Sequence, residues 1–531
     1  MKLLSSVICV AACLNATFTM AGNALNIPQG DYLRVAGVSS LSATAKEVRG
    51  TWVTTTANTA ISTPANTAAT MKKLADIGLN TVYVEVWKNG YTQYPSQVLK
   101  RTIGVERRPT QALQDPSDKV SKTVPRDLLQ ETATAAHRNG LHYIAWFEYG
   151  FMAAHKTTMN DLWKQKPEWL SRDIKGSEIA PNGFVWMNPL HPEARVFLLD
   201  LVLEAIDKYD IDGIQIDDRI VWPYVTMGYD DATRKIYAAE HNGAQPPDDH
   251  KDPAFMAWRS AKVNEYSKWF TQEIRARKPG LLVSLSPAVY PWSYDYYLLN
   301  WPAWSGWQAS DRLTGAPVRN AAAQAQTPRW DEFIPQAYRF SYDAFEKTWR
   351  EQVSHVDGYD KKNGTNRKGD MVAGIRLTGD GKEDSSWDQL KRSIELTRTL
   401  GNGGHVHWFS RAVTDNFAEQ LKTFYAATPA VTPRFPTGWR PAPIVLFQAP
   451  LTLGLDDKFS NEQLWQAPNI PAGKYQLIGF DGKTWDVLSS QDFSGVNAIS
   501  GNQKQLFPVA RKYSQVELLR DRRDDFGAIK R

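Results

Sequence analysis

The sequence predicts an α/β protein, a (β/α)8 TIM barrel followed by a small C-terminal all-β sandwich domain. From Arg49 onward, short runs rich in β-branched and aromatic residues alternate with amphipathic helical stretches. This alternation is typical of a parallel sheet that is covered by helices. Beyond Ala427 the helical periodicity ends, and short β runs separated by turns follow.

Eight runs are expected to form the barrel strands. Their ranges are 51–55, 81–87, 141–148, 212–218, 281–287, 332–338, 371–377 and 404–410. Helices are expected between them, for example at 67–78, 125–140, 192–210, 261–280 and 385–401, and Gly follows the last turn of several. A doubly wound open sheet would alternate in the same way, but no Gly-rich phosphate loop follows the first strand.

Composition divides the chain into five predicted segments. These are a signal peptide at 1–24, a polar lead-in at 25–46, the barrel at 47–427, a Pro-rich linker at 428–440 and the β-sandwich at 441–531. The linker is predicted because prolines accumulate there without helical periodicity. The sandwich is predicted from its short β runs and from turns such as Asp481-Gly482.

The N-terminus has the features of a secretory signal. One Lys precedes an apolar stretch at 3–14, and small residues suit cleavage after Ala21 or Ala24. This stretch is shorter than the roughly 20 residues of a membrane-spanning helix, and the remaining sequence offers no other candidate span. We therefore expect an exported chain, periplasmic or extracellular after cleavage, with no membrane span in its mature form.

Both cysteines, Cys9 and Cys13, lie in the predicted signal, so the mature chain should contain no disulfide. The residues VAAC that end at Cys13 loosely match a lipoprotein cleavage box. Cleavage there would leave a very short signal. Lipid anchoring at Cys13 is therefore the less favoured alternative.

Charge and composition argue against nucleic acid as a partner. The 62 Lys and Arg residues are nearly balanced by 57 Asp and Glu, and no long basic run concentrates the net charge of +5. The 20 Trp residues indicate an aromatic-lined groove, since indole faces stack on sugar rings as well as on bases. We expect a carbohydrate partner and no cofactor or metal, and the sequence leaves the oligomeric state open.

Carboxylates collect at the predicted strand ends, where barrel enzymes place their active sites. Alternation along the fourth strand directs Gln215 and Asp217 inward, and Asp218 begins the following loop. The same alternation directs Glu85 inward on the second strand. Glu148 ends the third strand, at the rim of the barrel.

Two carboxyl groups suit the cleavage of a glycosidic bond, because one protonates the leaving oxygen while the other attacks or activates water. Glu148 lies among aromatic residues that should raise its pKa, so it is the expected acid, with Glu85 as the alternative. Asp217 is expected to stay ionised as nucleophile or base. Asp218 could bind substrate or pair with Arg219.

Structural roles are the alternatives for the same acids. Asp217 and Asp218 could cap the next element, and Glu85 could be ion-paired inside the barrel. Residues expected to hold sugar are Arg49, Trp52, Trp87, Trp146, Tyr149, Arg219, Trp222, Tyr224, Gln336, Tyr338, His407 and Trp408. Each of the indoles could instead serve ordinary packing.

Several blocks in order, VRGTWVTTT, GLNTVYVEVWKNGYTQYPS, NPLHPEARVFLLDLV, YDIDGIQIDDRIVWP, and AWSGW before DEFIPQAY, resemble the glycosyl-hydrolase-like 10 family of bacterial exported proteins. The resemblance covers about residues 47–410. It implies a glycosidase-like barrel that acts on a poly- or oligosaccharide. A wider likeness to α-amylase barrels places a nucleophile at Asp217, although Gln215 stands where those barrels have Arg; Arg219 or Arg376 could replace it.

Two other functions compete with glycoside hydrolysis. A metal-dependent hydrolase would use Asp217 or Asp218 with His405 and His407, and His142 as a further ligand. A glycan-binding barrel would keep the aromatic residues without a usable pair of acids. The sugar, linkage, anomer and mode of action stay open.

Overall fold

The structure, a computed structural model, describes residues 45–108, 126–308, 321–379, 381–449, 461–467, 469–495 and 505–528. An eight-stranded parallel sheet lies at its centre. Its strands are β1 Val48–Val53, β2 Thr81–Glu85, β3 His142–Phe147, β4 Gly213–Ile216, β5 Leu282–Leu285, β6 Glu332–Phe333, β7 Val372–Arg376 and β8 Gly404–Trp408. The fold class predicted from the sequence is confirmed.

The strands pair in chain order from β1 to β6, and β8 pairs with both β1 and β7. Two isolated parallel bridges, Phe333 with Met371 and Gln336 with Gly374, join the β6 and β7 segments and close the barrel. The β6 segment forms only a short strand, and Pro335 within it has no N–H for a sheet hydrogen bond.

Helices cover the barrel on the outside. The main helices are α1 Pro64–Ile77, α2 Leu128–Arg138, α3 Pro192–Lys208, α4 Pro253–Arg277, α5 Ala321–Gln326, α6 Tyr342–Asn363, α7 Trp387–Thr399 and α8 Ala418–Ala426. Shorter α-helices in the loops are Gln97–Ile103, Asp161–Gln165, Asp231–Glu240, Trp292–Tyr297 and Ser410–Asp415. Turns of 3-10 helix are Pro167–Trp169, Trp301–Gly306, Lys368–Asp370 and Asp525–Ala528.

Local sequence signals explain where the helices begin and end. The Thr63 side chain accepts a hydrogen bond from the backbone of Asn66 and caps α1, which ends at Gly78 with a positive φ of 103°. α4 begins well before its predicted start at 261, because Asp252 caps it and Pro253 occupies its first turn. The capping signal was therefore present in the sequence, although the helical period of that segment is weak.

Polar and aromatic side chains from different strands contact one another inside the barrel. The Trp52 indole N–H donates to the Gln215 side chain at 2.8 Å, and the Gln215 amide donates to the Ser284 hydroxyl at 2.9 Å. These three residues come from β1, β4 and β5. The contacts place Gln215 inside the barrel, and alternation directs Asp217, two residues later, to the same side.

Buried ion pairs close the N-terminal end of the barrel. Arg434 lies 2.7 Å from Glu332 and 3.0 Å from Asp370, and the Tyr83 hydroxyl donates to Glu332 at 2.8 Å. Arg434 belongs to the Pro-rich stretch 428–440. That stretch therefore packs on the barrel, and its buried arginine joins the starts of the neighbouring strands β6 and β7.

A second buried group lies beside the first. Arg440 lies 2.7 Å from both Asp210 and Asp212, and the Trp439 indole N–H donates to Asp212 at 2.8 Å. The strand Ala45–Lys46 also pairs in parallel with Ala430–Val431. The end of the barrel opposite the candidate active site is thus held by ionic contacts with the segment that follows β8.

The C-terminal segment forms two antiparallel sheets. Their strands are β9 Ile444–Val445, β10 Phe447–Gln448, β11 Glu462–Ala467, β12 Lys474–Phe480, β13 Trp485–Asp492, β14 Gln505–Ala510 and β15 Gln515–Arg520. One sheet has the order β9-β15-β12-β13 and the other β10-β11-β14. Trp465 and Phe507 from the second sheet share a buried cluster with Leu477 and Leu518 from the first, which is sandwich packing.

The predicted signal peptide, the lead-in up to residue 44 and both cysteines lie outside the described residues. Among the helices that the structure describes, none combines the length and the apolar character needed to cross a bilayer.

Replacing Arg434 with Met should lower the free energy of unfolding by about 3 to 5 kcal/mol, because Glu332 would stay buried without a cation, while Asp370 would keep only Arg367. Urea unfolding followed by fluorescence measures this loss. Arg350→Met is the matched control, since Arg350 pairs with Glu346 on an exposed helix surface. Equal stability of Arg434→Met and the wild type would show that the buried pairs do not hold the barrel end.

Candidate active site

Three acids meet at the C-terminal end of the barrel through one arginine. Nη1 of Arg219 forms an ion pair with Asp217 and lies 3.3 Å from Glu148 Oε1 and 3.2 Å from Asp218 Oδ1. Glu148 follows β3 and Asp217 follows β4, and these strands are neighbours in the sheet. The barrel therefore brings together Asp217, Asp218 and Glu148, which the sequence predicted as catalytic candidates.

A lysine that was not predicted supplies the second positive charge. Nζ of Lys88 lies 3.1 Å from Glu85 Oε2 and 3.9 Å from Glu148 Oε2, and it donates to the Thr56 hydroxyl at 3.0 Å. Lys88 follows Glu85 by three residues, just after β2. A charged residue so close to a strand end was a signal that the sequence contained.

Glu85 is buried, and both of its carboxylate oxygens have hydrogen-bond partners. Its Oε1 accepts a hydrogen bond from the Thr55 hydroxyl, and its Oε2 receives Lys88. These are the ion-paired surroundings considered above as the structural alternative for Glu85. The Glu85 carboxylate therefore holds the Lys88 ammonium group beside Glu148.

We call Glu85, Glu148, Asp217 and Asp218, with their cations Lys88 and Arg219, the acid cluster. Burial raises the pKa of Glu148, with Lys88 and Arg219 acting against this change and the charges of Glu85 and Asp218 adding to it. Burial also raises the pKa of Asp217 well above its ordinary value; Arg219 opposes the shift, and Asp218 and Glu148 increase it. The cluster has more carboxylates than cations, so it holds a proton at a higher pH than separate carboxyl groups would.

Asp217 is oriented by two donors. Besides Arg219, the Gln336 amide donates to Asp217 Oδ1 at 2.5 Å and to the Ser286 carbonyl at 3.2 Å. Gln336 follows β6 and Ser286 follows β5, so the carboxylate is fixed from the two strands that come after β4 in the sheet. Arg376, the other candidate partner of Asp217, donates instead to the backbone carbonyls of Gly379 and Glu383.

The loop after β3 is packed tightly against Arg219. The Arg219 guanidinium donates to the Glu148 carbonyl at 2.9 Å and lies 2.8 Å from the Met152 sulfur. Gly150 has a positive φ of 44°, and a Cβ there would come within 2.5 Å of the Arg219 carbonyl oxygen. Only glycine allows this approach, so the loop and the arginine are positioned together.

Four rings form what we call the aromatic wall, made of Trp52, Trp146, Tyr338 and Trp408. Trp52 lies 6.0 to 6.4 Å from the other three ring centroids, and Tyr338 stacks on Trp408 at 5.8 Å. Tyr338 and Trp408 are partly exposed, whereas Trp52 and Trp146 are buried. The wall combines buried support with accessible ring surface.

The buried polar atoms of this region that lack a hydrogen-bond partner among the described residues include the Trp146 indole nitrogen, Glu148 Oε2 and Asp218 Oδ1. The Asp218 oxygen lies 3.2 Å from Arg219 Nη1. Because buried polar atoms are nearly always hydrogen-bonded, the Trp146 nitrogen and Glu148 Oε2 are available to a polar ligand. Glu148 is the last residue of the predicted third strand, two positions after Trp146.

Two predicted sugar-binding tryptophans are packing residues. Trp87 is fully buried, with its indole N–H bonded to the Gly150 carbonyl and its ring against Phe197. Trp222 is also fully buried, and its N–H donates to the Met227 carbonyl. Neither ring has accessible surface, so the geometry favours the packing role that the sequence offered as the alternative.

Arg49 and His407 also lie away from the acid cluster, against the prediction. Arg49 is near the start of β1, at the opposite end of the barrel, and is bonded to Glu47 and to the Tyr425 carbonyl. The His407 ring is buried and lies 2.9 Å from the Tyr425 hydroxyl in α8. Either side of β8 could have been buried, and the structure directs Trp408 toward the acid cluster and His407 toward the helices.

The ligands expected for a metal-dependent hydrolase are not brought together. His405 and His407 both contact Tyr425 in the helix layer, on the side of β8 that faces away from Asp217. His142 begins β3 at the opposite end of the barrel and stacks on Phe435.

Two predicted tyrosines lie around the acid cluster. Tyr149 is buried beside Glu148, its hydroxyl donates to Asn89, and burial raises its pKa, with the charge of Glu148 adding to the shift. Tyr224 is partly exposed and has a φ of 112°, which residues other than glycine rarely adopt. Its backbone N–H is turned back onto the Trp222 carbonyl at 2.7 Å, which directs the ring to the rim.

Comparison with known proteins agrees with this architecture. The chain is 24% identical over 435 residues to the glycosyl hydrolase YngK of Bacillus subtilis, covering 74% of each chain. It is 24% identical over 311 residues to the glycosyl hydrolase DigH of Escherichia coli K12, covering 53% of this chain and 60% of that one.

A solved structure shares the fold. The glycoside hydrolase domain of PgaB (BpsB) from Bordetella bronchiseptica superposes with a TM-score of 0.50 at 14% identity, covering 71% of this chain and 98% of that domain. The family model described as glycosyl hydrolase-like 10 matches residues 47–327, from the start of β1 to beyond α5. Since this match spans more than half of the sequence, the chain belongs to the glycosyl hydrolase-like 10 family.

Proposed function

We propose that the protein is a glycoside hydrolase that cleaves glycosidic bonds of a poly- or oligosaccharide, with Asp217 and Glu148 as its two catalytic carboxyl groups. The observation that carries this proposal is the shared contact of both acids with Arg219. Two acids on neighbouring strands, next to an aromatic wall, are the groups that acetal cleavage requires. Family membership supports the same reaction class.

The spacing of the two acids favours a retaining mechanism. Because Glu148 and Asp217 contact the same nitrogen of Arg219, their facing oxygens lie less than about 6 Å apart. Carboxyl groups are roughly 5 to 5.5 Å apart in retaining glycosidases and roughly 6.5 to 9.5 Å apart in inverting ones. We therefore assign Asp217 as a nucleophile rather than as a base that activates water.

Glu148 is the acid in this proposal. Its pKa is raised by burial, and its Oε2 has no hydrogen-bond donor other than the distant Lys88, so this oxygen can carry a proton. Burial raises the pKa of Asp217 as well, but this acid receives two donors, Arg219 and Gln336, which oppose that shift and stabilise its carboxylate form. One proton on Glu148 and none on Asp217 is the arrangement that the hydrogen bonds favour.

The reaction would proceed in two steps. The Asp217 carboxylate attacks the anomeric carbon while Glu148 gives its proton to the oxygen of the leaving sugar. Water then attacks the glycosyl ester, and Glu148 takes a proton from that water while Asp217 is released. Tyr338 and Trp408 offer partly exposed ring faces on which a sugar can stack beside these groups.

A glycan-binding barrel without catalysis is the second candidate, and one observation favours it. Arg219 pairs with all three acids, which weakens the nucleophilicity of Asp217. Such a protein would bind a polysaccharide and release no reducing ends from it.

Export of the chain remains a proposal that rests on the predicted signal at 1–24.

Asp217→Asn and Glu148→Gln should each lower kcat/KM by more than about a thousandfold, since each removes a group that acts in the transition state. The assay is release of reducing ends from a panel of soluble polysaccharides, with proton NMR of the fresh product to read the anomer. Retention of configuration is expected. Asp218→Asn changes the same charge one residue away and should cost less than about tenfold.

Activity of Asp217→Asn within tenfold of the wild type would contradict the assignment of the nucleophile. An equal loss in Asp218→Asn and Asp217→Asn would leave the two acids undistinguished and contradict the same assignment. A wild-type chain that binds a polymer of the panel without cleaving any would support the binding protein instead.

Lys88→Met should move the alkaline limb of the pH profile of kcat/KM upward by about one unit. The charge of Lys88 favours the carboxylate form of Glu148 and lowers its pKa against the effect of burial. Without that charge, Glu148 keeps its proton to a higher pH. The profile is measured between pH 4 and 10 at substrate concentrations well below KM, at about constant ionic strength.

Lys88→Arg is the control, because it keeps the charge and should leave the limb in place. A limb that stays in place or moves downward in Lys88→Met would show that Glu148 does not titrate as the acid.

A further inference from the structure

Four aromatic residues form a surface at the rim that the reaction does not use. We call Tyr224, Trp292, Tyr296 and Tyr297 the rim platform. Trp292 and Tyr296 are 42% and 39% exposed, although large apolar side chains are normally buried. Their ring centroids are 5.0 Å apart, and Tyr224 lies 6.0 Å from Tyr296.

The rim platform is built on two strand ends of the barrel. Trp292, Tyr296 and Tyr297 belong to the short helix Trp292–Tyr297, which follows β5. Tyr224 lies in the loop after β4, and two backbone hydrogen bonds join this loop to the helix, from Trp222 to Tyr297 at 3.1 Å and from Val225 to Tyr296 at 2.7 Å. The exposed rings are thus held in place by their backbone.

Tyr297 connects the platform to the acid cluster. Its ring lies 5.4 Å from both Tyr224 and Trp292, and its hydroxyl accepts a hydrogen bond from Asn182 at 3.0 Å. Burial raises the pKa of Tyr297 to about 12, and the charge of Asp218 adds to this shift. The loop that carries Tyr224 also begins with Asp217 and Arg219, seven and five residues earlier.

We propose that the rim platform is a subsite on which a pyranose ring of an extended glycan stacks, outside the acid cluster and next to it. Exposed aromatic faces attract the polarised C–H groups of a sugar ring, and tyrosine hydroxyls can bond to its hydroxyl groups. A rigid array of such rings, continuous with an acid cluster, suits a chain of repeated sugar units. This inference rests on the proposed function and names a polymer as its substrate class.

Binding separates this inference from catalysis. Affinity electrophoresis of the full-length chain in gels with hydroxyethyl cellulose, glycol chitin, laminarin, xylan or pullulan gives dissociation constants without turnover. The wild type should be retarded by at least one polymer. Trp292→Ala and Tyr296→Ala should each raise the dissociation constant for that polymer about tenfold. Both residues are exposed, so thermal unfolding should stay near that of the wild type.

Two controls make the result specific. Phe447→Ala removes a ring that is 59% exposed on the C-terminal sheets, and it should leave binding unchanged. Asp217→Asn should bind the polymer within about twofold of the wild type, because the platform acts apart from catalysis. This variant also distinguishes the two proposals, since cleavage can fail while retardation persists.

Three results would overturn the inference. The first is a wild-type chain that no polymer of the set retards. The second is unchanged retardation of Trp292→Ala and Tyr296→Ala. The third is an equal loss in Phe447→Ala, which would show that the effect does not belong to the rim platform.

Discussion

A single guanidinium nitrogen holds the candidate site together. Adjacent strand ends bring Asp217 and Glu148 close, but buried carboxylates repel each other and lose their hydration. Arg219 offsets both costs by pairing with Asp217, Asp218 and Glu148 from one position. Glycine at position 150 lets the neighbouring loop close on Arg219, so the arginine keeps this place. The close approach of the acids depends on this contact.

The two ends of the barrel use the same interaction for different purposes. At the N-terminal end, Arg434 and Arg367 balance Glu332 and Asp370, and Asp210 and Asp212 share Arg440 and His137, so each of these acids has at least two partners. At the C-terminal end, the acid cluster has more acids than cations, and Glu148 keeps an oxygen without a donor. Fully paired acids give a rigid support. Buried carboxylates that outnumber their cations raise each other's pKa instead, so one of them can retain a proton for an acid-catalysed step.

Aromatic residues extend the candidate site in two directions. The aromatic wall lies within the barrel mouth, and its inner rings are supported by the Trp52 to Gln215 hydrogen bond. The rim platform lies on the loops after β4 and β5 and exposes the rings of Trp292 and Tyr296. In the proposed function, both groups would bind sugar, and two aromatic surfaces suit a polymeric substrate better than a small glycoside. Variation in such loops is how one barrel serves many substrates.

The sequence by itself determined the barrel, its eight strands and the inward direction of Asp217. The alternation of side chains along a strand is a local pattern, so neighbouring residues are enough to predict it. It also indicated Glu148, Gln336, Tyr338 and Trp408, which follow strand ends. Only the tertiary structure decided that Lys88 stands between Glu85 and Glu148, that Trp87 and Trp222 are packing residues, and that His407 faces the helices. These outcomes depend on contacts between strands far apart in the chain, and either face of β8 could have been buried, so local pattern could not decide them.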